Sequence, residues 1–246
     1  MKGHTRTEIP PGRVRPDSVR RDIGRKDVRV RAPMRSLAFV AGLLLAGTLF
    51  ASIAPPAEAA SISWTVHFNA GCADEWASGV AIDAGSAAYV SGSYDSCINS
   101  VWDGVVVKWN GDGSFEWFHV ISSELGPNFE GYDDYARGIT FAADSAYVVG
   151  TTLGTLPSGG GSSGGKDAFV MKIWEDNSGG WTRQFGTSLD DEAYGVAADE
   201  TGVYVVGFTA GTLGQYPSGG IDAFIRKYNH AGEVLWTVQF GTVADD

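Results

Sequence analysis

A unit of about 55 residues occurs three times in this chain, and this repetition limits the fold more than any other feature. The best copy runs from Trp181 to Trp236, and the earlier copies run from Trp117 to Trp181 and from Trp64 to Trp117. A fourth copy begins after Trp236 with TVQFGTVADD. A repeat of this length cannot bury its own apolar face, so successive units must stack on one another. The matching segments include YGVAAD (194–199), ARGITFA (136–142) and ASGVAID (77–83).

Each unit has the pattern of four β-strands. Apolar residues alternate with polar ones or form short runs bounded by Gly, Asp, Asn and Ser, which is typical of strands joined by tight turns. Four antiparallel strands in each unit of this length predict a propeller blade. We therefore predict an all-β, beta-propeller-type fold with three four-stranded antiparallel blades in an open, unclosed array. The predicted blades are 70–121, 122–185 and 186–240, and an extra N-terminal strand is expected at 61–69. The predicted strands are 78–82, 87–93, 103–109, 114–121, 136–141, 145–151, 167–173, 180–185, 193–198, 202–208, 222–228 and 233–240.

The first 59 residues differ in kind from the repeats. Residues 1–35 hold 11 of the 18 Lys and Arg residues, and 37–54 is an uncharged apolar run followed by a small-x-small site at Ala57 and Ala59. This order predicts a secretory signal peptide at 34–59, preceded by a basic extension at 1–33 if synthesis begins at Met34. The exported chain, 60–246, would then begin at Ala60 or Ser61 and be secreted or held at the cell surface. A retained transmembrane anchor at 37–54 is the alternative.

The repeat region is strongly acidic. Residues 60–246 carry 7 basic residues against 24 acidic ones, a net charge of −17. Such a surface repels nucleic acids and anionic lipids, so neither a nucleic-acid partner nor membrane contact beyond the signal segment is expected.

Cys72 and Cys97 are the only cysteines. An even number behind a signal peptide favours a disulfide between them, with two unpaired buried thiols as the alternative.

Three residue types recur at fixed places in the units. The glycines on the first strand indicate either crowding against neighbouring blades or a β-bulge. The tryptophans that begin each unit predict packing between blades, and the lysines on the third strand are interpreted as solvated. These residues are Gly79, Gly138 and Gly195; Trp64, Trp117, Trp181 and Trp236; and Lys108, Lys172 and Lys227.

The repeats resemble a known family. The segment GTSLDDEAYGVAADETGVYVVGFT, a Gly/Pro/Ser linker and then DAFIRKYNHAGEVLWTVQFG are similar to the bacterial beta-propeller repeats called SBBP. The resemblance covers 61–246 and is weakest in the first unit, which has CADEW in place of an Asp pair. It implies a secreted or surface-attached propeller, in a family whose members usually have many blades and mostly lack an assigned biochemical activity.

Acidic pairs recur just before the first strand of the units. In a four-stranded blade they share one face with the Gly-rich loops at 157–160 and 217–220, and carboxylates beside such loops could hold Ca²⁺. The candidate ligands are Asp133, Asp134, Asp190 and Asp191. The alternative is that the first Asp of each pair caps the turn and the second is solvated.

No sequence motif for catalysis stands out. There is no HExxH sequence and no G-x-S-x-G in a strand-turn-helix context,. These observations predict a secreted or cell-surface, non-catalytic scaffold or binding module for an extracellular protein or glycan. The alternative is a secreted hydrolase or lyase acting on polysaccharide, with acidic loop residues as acid and base. Self-association through open blade edges is also expected.

Overall fold

The computed structural model describes residue 65 and residues 74–96, 101–126, 131–215 and 219–244. Within these residues the fold is all-β without a helix, as predicted, and no helix is available there to cross a membrane. The predicted strand at 61–69, the signal segment and Cys72 and Cys97 lie outside the described residues. The strands are β1 Glu75–Ile82, β2 Ala88–Asp95, β3 Trp102–Trp109, β4 Phe115–Ile121, β5 Asp134–Ala142, β6 Ser145–Thr152, β7 Asp167–Trp174, β8 Gly180–Phe185, β9 Asp191–Asp199, β10 Gly202–Thr209, β11 Asp222–Tyr228 and β12 Val234–Phe240.

These strands form three separate four-stranded antiparallel sheets. Each sheet pairs four consecutive strands in chain order, β1 to β4, β5 to β8 and β9 to β12. Tight turns such as Asn229–Gly232 join neighbouring strands, and Gly232 has a positive φ of 81° that favours glycine,. The prediction of an open array of blade-like sheets is confirmed.

The sheets stack through two apolar cores. Between the first and second sheets, Tyr89 and Val106 pack with Val148 and Phe169. The second core, between the second and third sheets, is formed by residues that include Tyr147, Val149, Val170, Val203, Val205 and Phe224. The second sheet is therefore covered on both faces, which explains why every residue of β6 is buried. The first strands contact one another across the sheets, β1 with β5 and β5 with β9, as they do along the inner edge of a propeller,.

Trp117 and Trp181, on the fourth strands of the first two sheets, join neighbouring blades as predicted; Trp236 of the last sheet is instead 40% exposed, and Trp64 lies outside the described residues. Trp117 Nε1 donates a hydrogen bond to the Glu175 carbonyl in the next sheet at 3.0 Å. In the same way, Trp181 Nε1 donates to the His230 carbonyl at 3.0 Å. Each ring also packs beside one of the two cores. Trp117 and Trp181 therefore pack between two sheets, and each also donates a hydrogen bond to a backbone carbonyl in a turn of the next sheet.

The interpretation of the third-strand lysines as solvated is wrong for two of them. Lys108 and Lys172 are buried because this strand face is covered by the next blade. Lys108 forms ion pairs with Glu116 and with Glu175 of the next sheet. Lys172 lies 3.8 Å from the Trp174 ring centroid, and burial lowers the pKa of its ammonium group. Lys227 is half-buried and donates to Thr201 Oγ1 at 2.8 Å.

The recurring glycines of the first strands mark β-bulges. The pairing register shifts beside Gly79 and Gly138, and again where Gly195 pairs with Val206. Crowding is present as well, because a Cβ at Gly138 would lie 2.7 Å from the Tyr194 carbonyl oxygen of the next blade. Both interpretations of these glycines therefore hold. In each case the bulge leaves one extra residue on the first strand: Ser78, Arg137 or Tyr194.

Candidate binding site

The acidic pairs lie at the loop end of each sheet that was predicted from the topology. In the second sheet Asp134 pairs with Thr152, which pairs with Asp167. Asp191, Thr209 and Asp222 occupy the same places in the third sheet. The Asp133-Asp134 pair therefore shares one end of its sheet with the 153–166 loop, as the sequence predicted.

The second Asp of each pair is buried, so the interpretation that it is solvated is wrong. Asp134 is fully buried and accepts hydrogen bonds from the amide and hydroxyl of Ser123, at 2.7 and 2.8 Å. Asp191 is also fully buried and accepts from the amide and hydroxyl of Thr187. Both residues begin a first strand, and their carboxylates hold the loop that arrives from the preceding blade.

Burial makes these carboxyl groups harder to ionise. Desolvation raises the pKa of Asp134 to about 6, against the hydrogen bonds from Thr152 and Ser123 that lower it. Desolvation likewise raises the pKa of Asp191 and of Asp103, which occupies the place of Asp167 in the first sheet. The negative charge of Asp103 contributes to the raised pKa of Asp134. The carboxyl pair between two blades is thus electrostatically costly at neutral pH.

The alternative interpretation expected the first Asp of each pair to cap its own turn, but in the structure its carboxylate accepts from an amide of a distant segment. Asp133 accepts from the Trp102 amide at 2.9 Å and from the Tyr135 hydroxyl at 3.0 Å. Asp190 accepts from the Lys166 amide at 3.1 Å. Among the described residues no group of three or more His, Cys, Asp or Glu is arranged to hold a metal ion. Ca²⁺ binding at Asp133, Asp134, Asp190 and Asp191 stays a prediction.

A buried glutamine completes the loop end of the second and third sheets, and sequence reasoning missed it. Gln184 donates to Asp167 Oδ2 and to the Gly154 carbonyl, and accepts from the Leu156 amide. Gln239 makes the matching bonds to Asp222, Gly211 and Leu213. The sequence does hold a clue to this role, because Gln recurs at the same position in WTRQF (181–185) and WTVQF (236–240). Gln is not titratable, so it does not stand out among candidate catalytic or metal-binding residues.

A second group of side chains, four on first strands and one at the start of β3, is more exposed. We name it the inner row; its members are Trp102, Trp76, Tyr135, Arg137 and Tyr194. Trp76 stacks on Trp102 with ring centroids 4.2 Å apart and lies nearly parallel to Tyr135 at 6.4 Å. The Arg137 guanidinium carbon lies 5.4 Å from the Tyr135 ring centroid and 5.0 Å from that of Tyr194. The inner row therefore crosses all three sheets.

The bulges place two members of the inner row. Arg137 and Tyr194 are the extra residues on β5 and β9. A bulge turns its extra side chain away from the regular alternation of the strand, which is why such bulges often occur beside functional sites. A sequence comparison of the repeats could not identify this row, because its positions hold different residues in each unit: Trp76, Tyr135 and Glu192 in one series, and Ser78, Arg137 and Tyr194 in the other.

A buried carboxylate fixes one end of the inner row. Glu192 accepts from Arg137 at 3.0 Å, from Lys166 at 2.8 Å and from the Tyr194 hydroxyl at 2.8 Å. Burial alone would raise the pKa of Glu192, but the hydrogen bonds from Lys166 and Tyr194 and the nearby positive charges outweigh it and lower the pKa. The carboxylate is therefore ionised at neutral pH and holds Arg137 and Tyr194 in place.

An open pocket of ≈ 440 Å³ adjoins this end of the inner row, and its lining includes Lys166, Glu192, Leu189 and Phe208. Trp76 is 49% exposed and Tyr194 is 47% exposed, so both ring surfaces are accessible. Rings in fixed positions beside charged groups can bind a flat ligand by stacking and orient it by hydrogen bonds.

No model of a known protein family and no curated protein matches the chain.

Proposed function

We propose that this chain is a secreted or cell-surface, non-catalytic scaffold or binding module of the SBBP repeat type, and that its ligand binds along the inner row. The observation that carries the proposal is that Trp76 and Tyr194 are half-exposed within this row. Asp133 holds the Tyr135 hydroxyl and Glu192 holds the Tyr194 hydroxyl, so the row is fixed by hydrogen bonds. Because these rings are already fixed in place, their side chains lose less conformational entropy when a ligand binds. The expected ligand is an extracellular protein or a glycan.

The alternative of a hydrolase or lyase acting on polysaccharide gains no support from the described residues. Carboxyl groups with a raised pKa are the natural candidates for a general acid. Those found here, Asp103, Asp134 and Asp191, are buried, and Asp134 and Asp191 hold their own loops. A substrate could not reach these two without displacing the loops.

A ligand screen with a paired variant tests this proposal. The purified protein and its Trp76→Ala/Tyr194→Ala variant would be applied to arrays of glycans and of extracellular proteins. We expect a ligand that binds the wild type and is lost in the variant. The control is Phe115→Ala/Phe118→Ala, which removes two rings of similar exposure from the outer strand β4. Equal binding by the inner-row variant would refute the site, and breakdown of the bound ligand would refute the non-catalytic role.

Export and Ca²⁺ binding have separate tests. Intact-mass measurement of the exported product should give a chain that begins at Ala60 or Ser61, and a product that keeps 37–54 in the membrane fraction would contradict this. Calorimetry should detect saturable Ca²⁺ binding that Asp190→Ala/Asp191→Ala abolishes. If the wild type shows no heat of binding, the carboxylates of the acidic pairs serve only to hold their loops.

A further inference from the structure

We infer that a divalent, oxygen-preferring cation, with Ca²⁺ as the best fit, binds between the second and third sheets and bridges Asp167 and Asp191. This site is independent of the inner row and of the ligand proposed for it. It shares Asp191 with the Ca²⁺ ligands predicted from the sequence, but its second carboxylate is that of Asp167. Asp190 is not part of it, because its carboxylate caps the Lys166 amide.

The two carboxylates of this site converge in the interior. Asp167 begins β7 and Asp191 begins β9, and both residues are fully buried. A Cβ at Gly186 would lie within 3.0 Å of Asp167 Oδ1 and of Asp191 Oδ2, so both groups meet at this glycine. In the part of the chain that the structure describes, neither carboxylate forms an ion pair with a Lys or Arg. Two buried negative charges oppose folding unless a cation or a proton compensates them.

One oxygen of each carboxylate already holds a loop, and the other does not. Asp167 Oδ2 accepts from the Ser163 amide at 2.8 Å and from Gln184 Nε2 at 2.9 Å. Asp191 Oδ2 accepts from the amide and hydroxyl of Thr187. Asp167 Oδ1 and Asp191 Oδ1 are buried and have no hydrogen-bond partner of ordinary length and angle among the described residues. These two oxygens are therefore available as ligands of a cation.

The first interface supplies a donor that the second interface lacks. Ser122 takes the place of Gly186 there, since each stands one residue before the residue whose amide and hydroxyl hold the second Asp. The Ser122 side chain hydrogen-bonds Asp103, which corresponds to Asp167. Because Gly186 has no side chain, Asp167 Oδ1 has no such donor. We therefore expect one cation site in the three sheets, at the second interface.

The kind of oxygen ligand and its burial indicate Ca²⁺. Carboxylate and hydroxyl oxygens bind hard cations, and a divalent ion balances the charge of two carboxylates. Thr209 pairs with Asp191 in the sheet, and its hydroxyl lies close enough to that carboxylate to provide a third oxygen. Backbone carbonyls of the loops that meet here would complete the coordination shell. Mg²⁺ retains several waters, which a fully buried site does not admit, whereas Ca²⁺ accepts protein oxygens in irregular geometry.

Calorimetry on the purified protein after treatment with EDTA tests the inference, with CaCl₂ and MgCl₂ as the probes. We expect saturable binding of about one Ca²⁺ per chain, at least about tenfold weaker binding of Mg²⁺, and a higher melting temperature with Ca²⁺. Asp167→Asn should remove both the heat of binding and the shift in melting temperature. The matched controls are Asp134→Asn at the first interface and Asp190→Asn, which should bind Ca²⁺ as the wild type does.

The design of the variants separates loss of the site from loss of the fold. Asp167→Asn keeps an oxygen for the Ser163 amide and gains an N–H group that can donate to Asp191, so in EDTA it should melt at no lower temperature than the wild type. Asp191→Asn should also lose Ca²⁺ binding, and it repeats the test if Asp167→Asn does not fold.

Two results would overturn the inference. The first is Ca²⁺ binding that survives Asp167→Asn and Asp191→Asn, or that Asp134→Asn or Asp190→Asn abolishes instead. The second is the absence of Ca²⁺ binding by the wild type. A higher stability of Asp167→Asn would then show that the two carboxyl groups share a proton in place of a cation.

Discussion

Asp134 carries a buried carboxyl group whose ionisation opposes folding at neutral pH. Its folded-state pKa is raised to about 6, above the ordinary 3.8, so the folded protein binds this proton more tightly than the unfolded chain. The resulting stabilisation is present in full below pH ~4 and is lost as the pH rises through about 6. The difference corresponds to at most about 3 kcal/mol between the two ends of this range.

The variant Asp134→Asn removes this titration and keeps an oxygen for Ser123. We expect its free energy of unfolding, relative to wild type, to rise between pH 4 and pH 7 by up to about 3 kcal/mol. Urea unfolding at several pH values measures the change. Glu200→Gln, at an exposed carboxyl group, should show no such rise. A parallel pH dependence of Asp134→Asn and wild type would contradict the raised pKa.

Gln184 should contribute strongly to stability, although it is neither charged nor apolar. Its side chain bonds to Asp167, to the Gly154 carbonyl and to the Leu156 amide within a buried site. Gln184→Met keeps the volume but removes all three hydrogen bonds and leaves Asp167 Oδ2 with only the Ser163 amide, so we expect a loss of about 2–4 kcal/mol in the free energy of unfolding,. The same change at exposed Gln215 should have little effect in the same denaturation experiment. Equal stability of the two variants would show that the buried network is dispensable.

The bulged first strands give a test at the level of the element. At Gly138 a Cβ would lie 2.7 Å from a backbone oxygen of the next blade, whereas at Gly195 it would meet only the Val206 side chain, at 2.9 Å. Backbone cannot move aside as a side chain can, so Gly138→Ala should lower the free energy of unfolding by about 1–3 kcal/mol and Gly195→Ala by less. Thermal unfolding of the two variants measures the order, and the reverse order would show that the blades can slide past each other at this point.

The strand order and nearly all strand boundaries were predictable because the repeats align the same apolar pattern three times. The first strands of all three sheets begin earlier than predicted, by three residues at Glu75 and by two at Asp134 and Asp191. A charged residue beside turn residues resembles a loop, but here each Asp pairs with a threonine of the second strand. The inner row was not predictable, since its contacts join residues of different sheets and its positions vary between units.

At the level of the whole molecule, the third sheet leaves one apolar face exposed. Val206, Val238 and Phe240 are 43%, 42% and 54% exposed, while Val149 and Phe185 at matching places in the second sheet are buried under the third. We therefore expect this chain, made alone, to self-associate. Light scattering of the purified protein should detect assemblies, and Val238→Lys/Phe240→Ser should reduce them. A compact monomer that melts cooperatively would contradict this expectation.

Amide exchange should reveal an uneven distribution of protection. The second sheet is covered on both sides, and all of β6 is buried, whereas β12 is mostly exposed. Local opening is easiest where few buried contacts must break. The amides of β6 and β7 should therefore exchange most slowly and those of β12 fastest. Uniform exchange across the three sheets would indicate a single cooperative unit.

The pairing of only consecutive strands within each sheet also determines how the polypeptide can fold during its synthesis. Every hydrogen-bonded partner within a sheet lies in an adjacent hairpin, so a sheet can assemble as soon as its own stretch of roughly 50 residues has left the ribosome,. The later sheet then covers the apolar face left by the earlier one. The most recently made end of the nascent protein would thus expose an apolar face until the next sheet covers it, and a chaperone could bind that face in the interval.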